Sequence, residues 1–218
     1  MTLENLNPQQ LQAVRHSEGP LMVVAGAGSG KTRVITCRIA HLIKEKGISA
    51  ESILAITFTN KAAGEMKERV RNMLDLRGAF PWVSTFHSFC LRILRQHISE
   101  LGFSNDFVIY DQDDSRALVK KVIGDLQLDE KSFVPKAVLA QISNAKNKMI
   151  SPELMAATVD GFMDEKISDI YTQYQKSLKM NNALDFDDLL LKPLELFRNY
   201  PTRLEYYQKK YQYVLVDE

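Results

Sequence analysis

Leu21–Ala25 (LMVVA) is an apolar run that passes straight into a glycine-rich stretch ending in Lys31-Thr32. Apolar residues then recur at Val34, Ile35, Ile39, Leu42 and Ile43, a helical spacing that Gly47 ends. A buried strand, a tight loop and a helix in immediate succession constrain the fold more than any other feature of the chain. The alternation continues. Ile53–Phe58 (ILAITF) precedes a helix over 61–73, with Ala62, Ala63, Met66, Val70 and Met73 on one face. Val83–Phe86 precedes a helix over 88–101, with Leu91, Leu94, Ile98 and Leu101 on one side and Gly102 as its stop. Three strand–helix units predict an α/β fold, a parallel sheet with helices on its faces.

From about Asn105 to Ala183 the helical segments dominate. They are read over 113–126, 135–149 and 165–180, with Ser151 as an N-cap before Pro152 and only Phe107–Tyr110 strand-like. This block reads as a helical insertion. The chain then returns to type. A helix near 186–200 carries Pro193, which should kink or split it, and a second helix spans about 202–211. Tyr213–Val216 (YVLV) reads as another buried strand, running into Asp217-Glu218. The expected organisation is 1–105 as the first part of an α/β core, 106–183 as the insertion, and 184–218 as the return to the core.

Composition closes off other classes. The 218 residues are 45% hydrophobic and 25% charged, an ordinary globular balance. No apolar stretch approaches the ~20 residues of a membrane span. Two cysteines, Cys37 and Cys90, build neither a disulfide framework nor a four-cysteine zinc site, and they suit a reducing cytoplasm. Residues 1–105 hold 13 Lys and Arg against 8 Asp and Glu, whereas the rest of the chain is slightly acidic. The excess of positive charge hints at an anionic partner for the first part.

Residues 25–32 read AGAGSGKT. The phosphate-binding pattern wants Gly, four residues, then Gly-Lys-Ser/Thr, and only the first glycine is replaced, by Ala25. The dinucleotide pattern Gly-x-Gly-x-x-Gly fails, because its sixth position is Lys31. Backbone N–H groups of Ala27, Gly28, Ser29, Gly30 and Lys31 are expected to form a phosphate nest at a helix N-terminus. Lys31 would hold the outer phosphates of ATP, and Thr32 would supply a hydroxyl to Mg²⁺. An acid at the end of a neighbouring buried strand completes such a site. Asp217 takes the metal role, and Glu218 that of the base activating water. Asp185, Asp187 and Asp188 are better read as first-turn helix acids than as a metal site. Tyr206, Tyr207, Tyr211 and Tyr213 are better read as packing than as base stackers.

Four further segments fall into register with AGAGSGKT: residues 6–14 (LNPQQLQAV), 53–66 (ILAITFTNKAAGEM), 84–94 (STFHSFCLRIL) and 184–190 (LDFDDLL) ahead of VLVDE. In this order they resemble the N-terminal part of superfamily 1 DNA helicases of the UvrD, PcrA and Rep type, over nearly the whole chain but weakly within about 105–183. The resemblance implies a P-loop NTPase domain of RecA-like fold with an inserted all-helical subdomain that helps contact duplex DNA. It implies that Gln10 reads the adenine edge and that Arg33 lies near the nucleotide. It implies contacts to single-stranded DNA from Thr57, Phe58, Thr59, Asn60 and Lys61, and from Thr85 and His87. On the residues alone, Phe58 could instead pack in a core, and His87 could equally cap the following helix. The partners implied are single-stranded DNA, single-/double-strand junctions and a second motor domain downstream, with no membrane. The activity implied is ATP-driven 3′→5′ translocation in repair or replication. These 218 residues alone are expected not to unwind DNA. The alternatives from other classes are a small-molecule P-loop kinase and a truncated nucleotide-binding regulator.

Overall fold

The computed structural model describes residues 6–16, 18–74 and 78–217. It is a mixed α/β chain in two compact units, residues 1–89 with 202–218 and residues 90–201. Residues 90–105 and 184–201, placed by the sequence in the α/β part, fall in the second compact unit.

In the first unit the parallel sheet has the order β2-β1-β5, with β1 at Ile53–Thr57, β2 at Trp82–Thr85 and β5 at Tyr213–Asp217. β1 is central and buried at every position, which is why its sequence is apolar without alternation. Three helices build the rest of this core: α1 (Pro8–Arg15), α2 (Lys31–Lys44) and α3 (Asn60–Met73). Val14, Ile39, Leu42, Met66 and Val70 pack with Ile53, Ala55, Val83 and Leu215 of the strands. The register pairs Thr57 with Thr85 on one side and with Asp217 on the other. The three residues therefore stand abreast at the C-terminal ends of parallel strands, the edge at which open α/β sheets bind ligands. Phe89 meets Tyr207 and Tyr211 edge-on, and both tyrosines are buried, while Tyr206 is half exposed.

One expected strand is absent. Leu21–Ala25 belongs to neither sheet, and Met22 and Val24 are 85% and 88% exposed. An apolar run expresses a preference for burial but does not specify a neighbour for its ladder hydrogen bonds. Here a cavity of about 820 Å³ lies between Leu21–Val23 and β5, both of which line it.

The second unit is helical apart from one short parallel pair, β3 (Val108–Ile109) with β4 (Ala183–Leu184). α4 (Phe86–His97) leads into it. Its main core joins α5 (Gln112–Asp125), α6 (Pro135–Asn147) and α8 (Phe162–Met180) around Val119, Ile142, Ile170 and Tyr174. The short α7 (Pro152–Ala157) starts as expected, Ser151 Oγ accepting from the Leu154 N–H at 3.2 Å. Pro193 does not split its helix. α9 runs unbroken over Phe186–Asn199 with Pro193 buried inside it, and α10 follows over Pro201–Lys210. Packing of Leu189, Pro193 and Leu196, four and three residues apart on one face, holds the helix through the lost hydrogen bond.

Asp187 and Asp188 lie in the first turn of α9 as expected, and Asp185 and Asp188 have a further place in the core. Asp185 is the N-cap of α9, its Oδ1 accepting from the Asp188 N–H at 2.9 Å. Its Oδ2 takes hydrogen bonds from Lys146 Nζ at 2.6 Å and Tyr174 Oη at 3.0 Å. Lys146 also pairs with Asp188 Oδ1 at 2.9 Å, and the lysine side chain is 1% exposed. Burial pushes the Asp188 carboxyl up, and the Lys146 ammonium opposes that push.

Candidate nucleotide and nucleic-acid site

Residues 25–31 form a turn closed on itself. Ser29 Oγ donates to the Gly26 carbonyl at 2.7 Å, and Lys31 Nζ donates to the carbonyls of Ala25 at 2.7 Å and Gly26 at 3.0 Å. Gly28 and Gly30 adopt φ of 77° and 88°, conformations that favour glycine. A Cβ at Gly30 would also meet Gln10 Nε2 at 3.1 Å. Gly30 is the N-cap of α2, so the first N–H groups of that helix, including those of Lys31 and Thr32, open toward the loop. An ammonium, a glycine turn and a helix N-terminus together form a donor set that suits a polyphosphate. Lys31 and Asp217 line the same cavity, together with Val34, Ile35 and Arg38. Thr32 follows in the first turn of α2 and is half-buried. Glu218 lies outside the described residues.

Gln10 is tied down at both ends of its amide. Its Oε1 accepts from the Asn7 N–H at 3.0 Å, while Asn7 Oδ1 accepts from the Gln10 N–H at 2.8 Å, a reciprocal cap on α1. Its Nε2 donates to the Ser29 carbonyl at 2.9 Å. The side chain thus bridges α1 to the glycine turn. The sequence reading did not single out this cap, although the Asn-x-x-Gln spacing is its signal. Arg38, which lines the cavity, was missed as well. Its guanidinium donates to the carbonyls of Ala13 and His16, fixing the end of α1 beside the cavity. Arg33 does not line the cavity. It lies beside Cys37, whose thiol burial pushes up against the opposing pull of that guanidinium.

The second set of candidate residues sits at the end of β1 and β2. Thr57 and Thr85 are buried, and their hydroxyls serve the local backbone. Thr57 Oγ1 donates to the Thr59 carbonyl at 3.0 Å, and Thr85 Oγ1 accepts from the Ser88 N–H at 3.2 Å. Thr59 caps α3 through the Ala62 N–H. These caps project the intervening residues outward. Phe58 is 81% exposed and so is no core residue, and Asn60 and Lys61 are exposed beside it. Phe86 is exposed and His87 half-buried in the first turn of α4, where the capping hydroxyl is that of Thr85. An exposed ring flanked by amide, hydroxyl and ammonium can stack a base and bind phosphate. Among the described residues no group of three His, Cys, Asp or Glu side chains could hold a metal ion. No helix there is long and apolar enough to cross a membrane.

Comparison with known proteins adds the family. The model of the UvrD/REP helicase N-terminal domain matches residues 6–218. The chain is 49% identical over 216 residues to the ATP-dependent DNA helicase PcrA of Bacillus subtilis, covering 99% of this chain and 29% of that protein. It is 46% identical to the PcrA helicase of Staphylococcus epidermidis and 45% identical to that of Staphylococcus aureus, each over 99% of this chain and 30% of the relative. The chain therefore spans less than a third of the length of these relatives.

Proposed function

Because the chain belongs to the UvrD/REP helicase N-terminal domain family, we propose that it is the ATP-binding part of an ATP-dependent DNA helicase. The observation that carries this reading is the placement of Lys31 and Asp217 on one cavity beside the glycine turn. In this reading residues 1–105 and 184–218 form a RecA-like core, and 106–183 form an inserted helical subdomain. ATP supplies the phosphoanhydride bond whose hydrolysis drives movement. Lys31 leaves the carbonyls of Ala25 and Gly26 to hold the outer phosphates, with backbone N–H groups from Ala27 to Gly30 around them and Arg33 nearby. Thr32 and Asp217 hold Mg²⁺, and Glu218 takes the proton of the attacking water. Gln10 orients the adenine from its anchored position on the turn. Thr57–Lys61, Thr85 and His87 form the track for single-stranded DNA. A second motor domain, 3′→5′ polarity, action at strand junctions in repair or replication, and a cytoplasmic location complete the proposal.

These residues alone are expected to bind nucleotide but not to unwind DNA or to show appreciable DNA-stimulated hydrolysis. The test is equilibrium binding of a fluorescent ATP analogue with Mg²⁺. Lys31→Ala removes a charge-assisted contact worth about 1.5–3 kcal/mol, so affinity should fall about 10- to 150-fold. Unchanged affinity in that variant would remove the nucleotide assignment. A robust DNA-stimulated ATPase rate from these 218 residues would remove the claim of inactivity.

A further inference from the structure

The side chain that joins α1 to the glycine turn is held between two backbone groups. Gln10 Oε1 accepts from the Asn7 N–H at 3.0 Å, and Gln10 Nε2 donates to the Ser29 carbonyl at 2.9 Å. These partners fix which way round the amide stands. Reversed, Nε2 would face an N–H and Oε1 would face a carbonyl, and both contacts would repel. A glutamine amide offers two acceptor sites and two donors. One of each is spent here, and one of each remains. An adenine edge presents N6–H as donor and N7 as acceptor, the complement of that remaining pair. A guanine edge presents O6 and N7, two acceptors, so Oε1 would meet another acceptor. A loose amide can turn both of its N–H groups toward guanine, and a locked one cannot.

The Asn7 N–H is itself held in place. Asn7 Oδ1 accepts from the Gln10 N–H at 2.8 Å, which closes the reciprocal cap. Pro8 restricts Asn7 to extended backbone, and Asn7 has φ −72° and ψ 166°. The preceding residue, Leu6, packs on the core of the sheet unit, and Arg38 holds the far end of α1 through the Ala13 carbonyl. The helix is therefore anchored apart from its cap, and the cap governs its first turn. Asn7 is exposed, so trimming its side chain opens no cavity in the core.

We propose that Asn7 is a positioning residue for base selectivity: its cap holds the Gln10 amide in the one orientation that favours adenine over guanine. This rests on the proposal that the chain binds ATP with Gln10 at the base, and it extends that reading to a residue acting only through Gln10. The test is equilibrium binding of ribose-labelled fluorescent ATP and GTP, with Mg²⁺, to the full 218-residue chain. Asn7→Ala should lower the ratio of ATP to GTP affinity about fivefold, the loss of a helix cap of ordinary strength. Asn7→Ser supplies a capping oxygen again and should bring the ratio back to within about twofold. Tripolyphosphate engages the glycine turn alone, and its affinity should be the same in both variants. Thermal melts of each variant check the fold.

An unchanged ratio in Asn7→Ala, with Lys31→Ala still weakening both nucleotides, would overturn the positioning role and leave the nucleotide site standing. An equal loss for ATP, GTP and tripolyphosphate would make the cap a support of the fold alone, and the proposal would fall. Failure of Asn7→Ser to restore the ratio would mean that capping is not what Asn7 contributes, which also overturns it. Equal affinity of the unsubstituted chain for ATP and GTP would overturn the lock on Gln10. No binding of either nucleotide by that chain would overturn the nucleotide reading and this proposal with it.

Discussion

At the scale of single residues, the core of the helical unit holds charge as well as apolar side chains. Lys146 lies 39 residues from Asp185, on a helix read from the sequence only as an apolar face. No spacing rule links them, yet Lys146 with Asp185 and Asp188 forms the most buried ionic cluster among the described residues. One ammonium serves two carboxylates, Asp185 and Asp188, with Tyr174 Oη donating a further hydrogen bond. Removing the cation leaves both acids buried against each other. Lys146→Met should therefore destabilise the chain by about 3–5 kcal/mol, the usual cost of breaking a buried pair from one side. Chemical denaturation measures it. The triple variant with Asp185→Asn and Asp188→Asn should recover much of that loss, because no unpaired charge then remains. A loss below about 1 kcal/mol for Lys146→Met would mean that the acids find other partners.

At the scale of elements, helices were easier to place than strands for a physical reason. A helix satisfies its backbone within itself, so its period and caps are written in consecutive residues, as at Asn7, Asp111 and Ser151. A strand needs a neighbour. Ile53–Thr57 has two, β2 and β5, and its apolar run was read correctly. Leu21–Ala25 has the same composition but pairs with neither sheet. Its side chains stand exposed across a cavity from β5, where Val214 and Val216 are also exposed. Backbone N–H groups outside a ladder exchange with solvent rapidly, whereas those of a buried central strand open only with the unit. Hydrogen–deuterium exchange should therefore label 21–25 within seconds and leave 53–56 protected at least about 100-fold longer. Equal protection of the two segments would mean that 21–25 is laddered to the sheet in solution.

At the scale of the whole molecule, the two units differ in how their chain is supplied. The helical unit is one continuous stretch, residues 90–201. Both of its clusters draw only on that stretch, one around Tyr174 and Ile142, the other around Leu94 and Phe107. The β3–β4 pair joins Val108 to Ala183, and the Lys146 cluster joins α6 to α9, so its long-range ties are internal too. At 112 residues it has the size of an independent domain. The sheet unit is discontinuous. β5 comes from its second piece and pairs with β1 at all five positions, so residues 1–89 alone would bare one whole edge of the central strand. Expressed separately, residues 90–201 should be soluble, show fixed near-ultraviolet circular dichroism and unfold in one cooperative step. Residues 1–89 should not reach that state without 202–218. A molten, non-cooperative 90–201 would show that its cores depend on the sheet unit, and a stably folded 1–89 would show that β1 does not need β5.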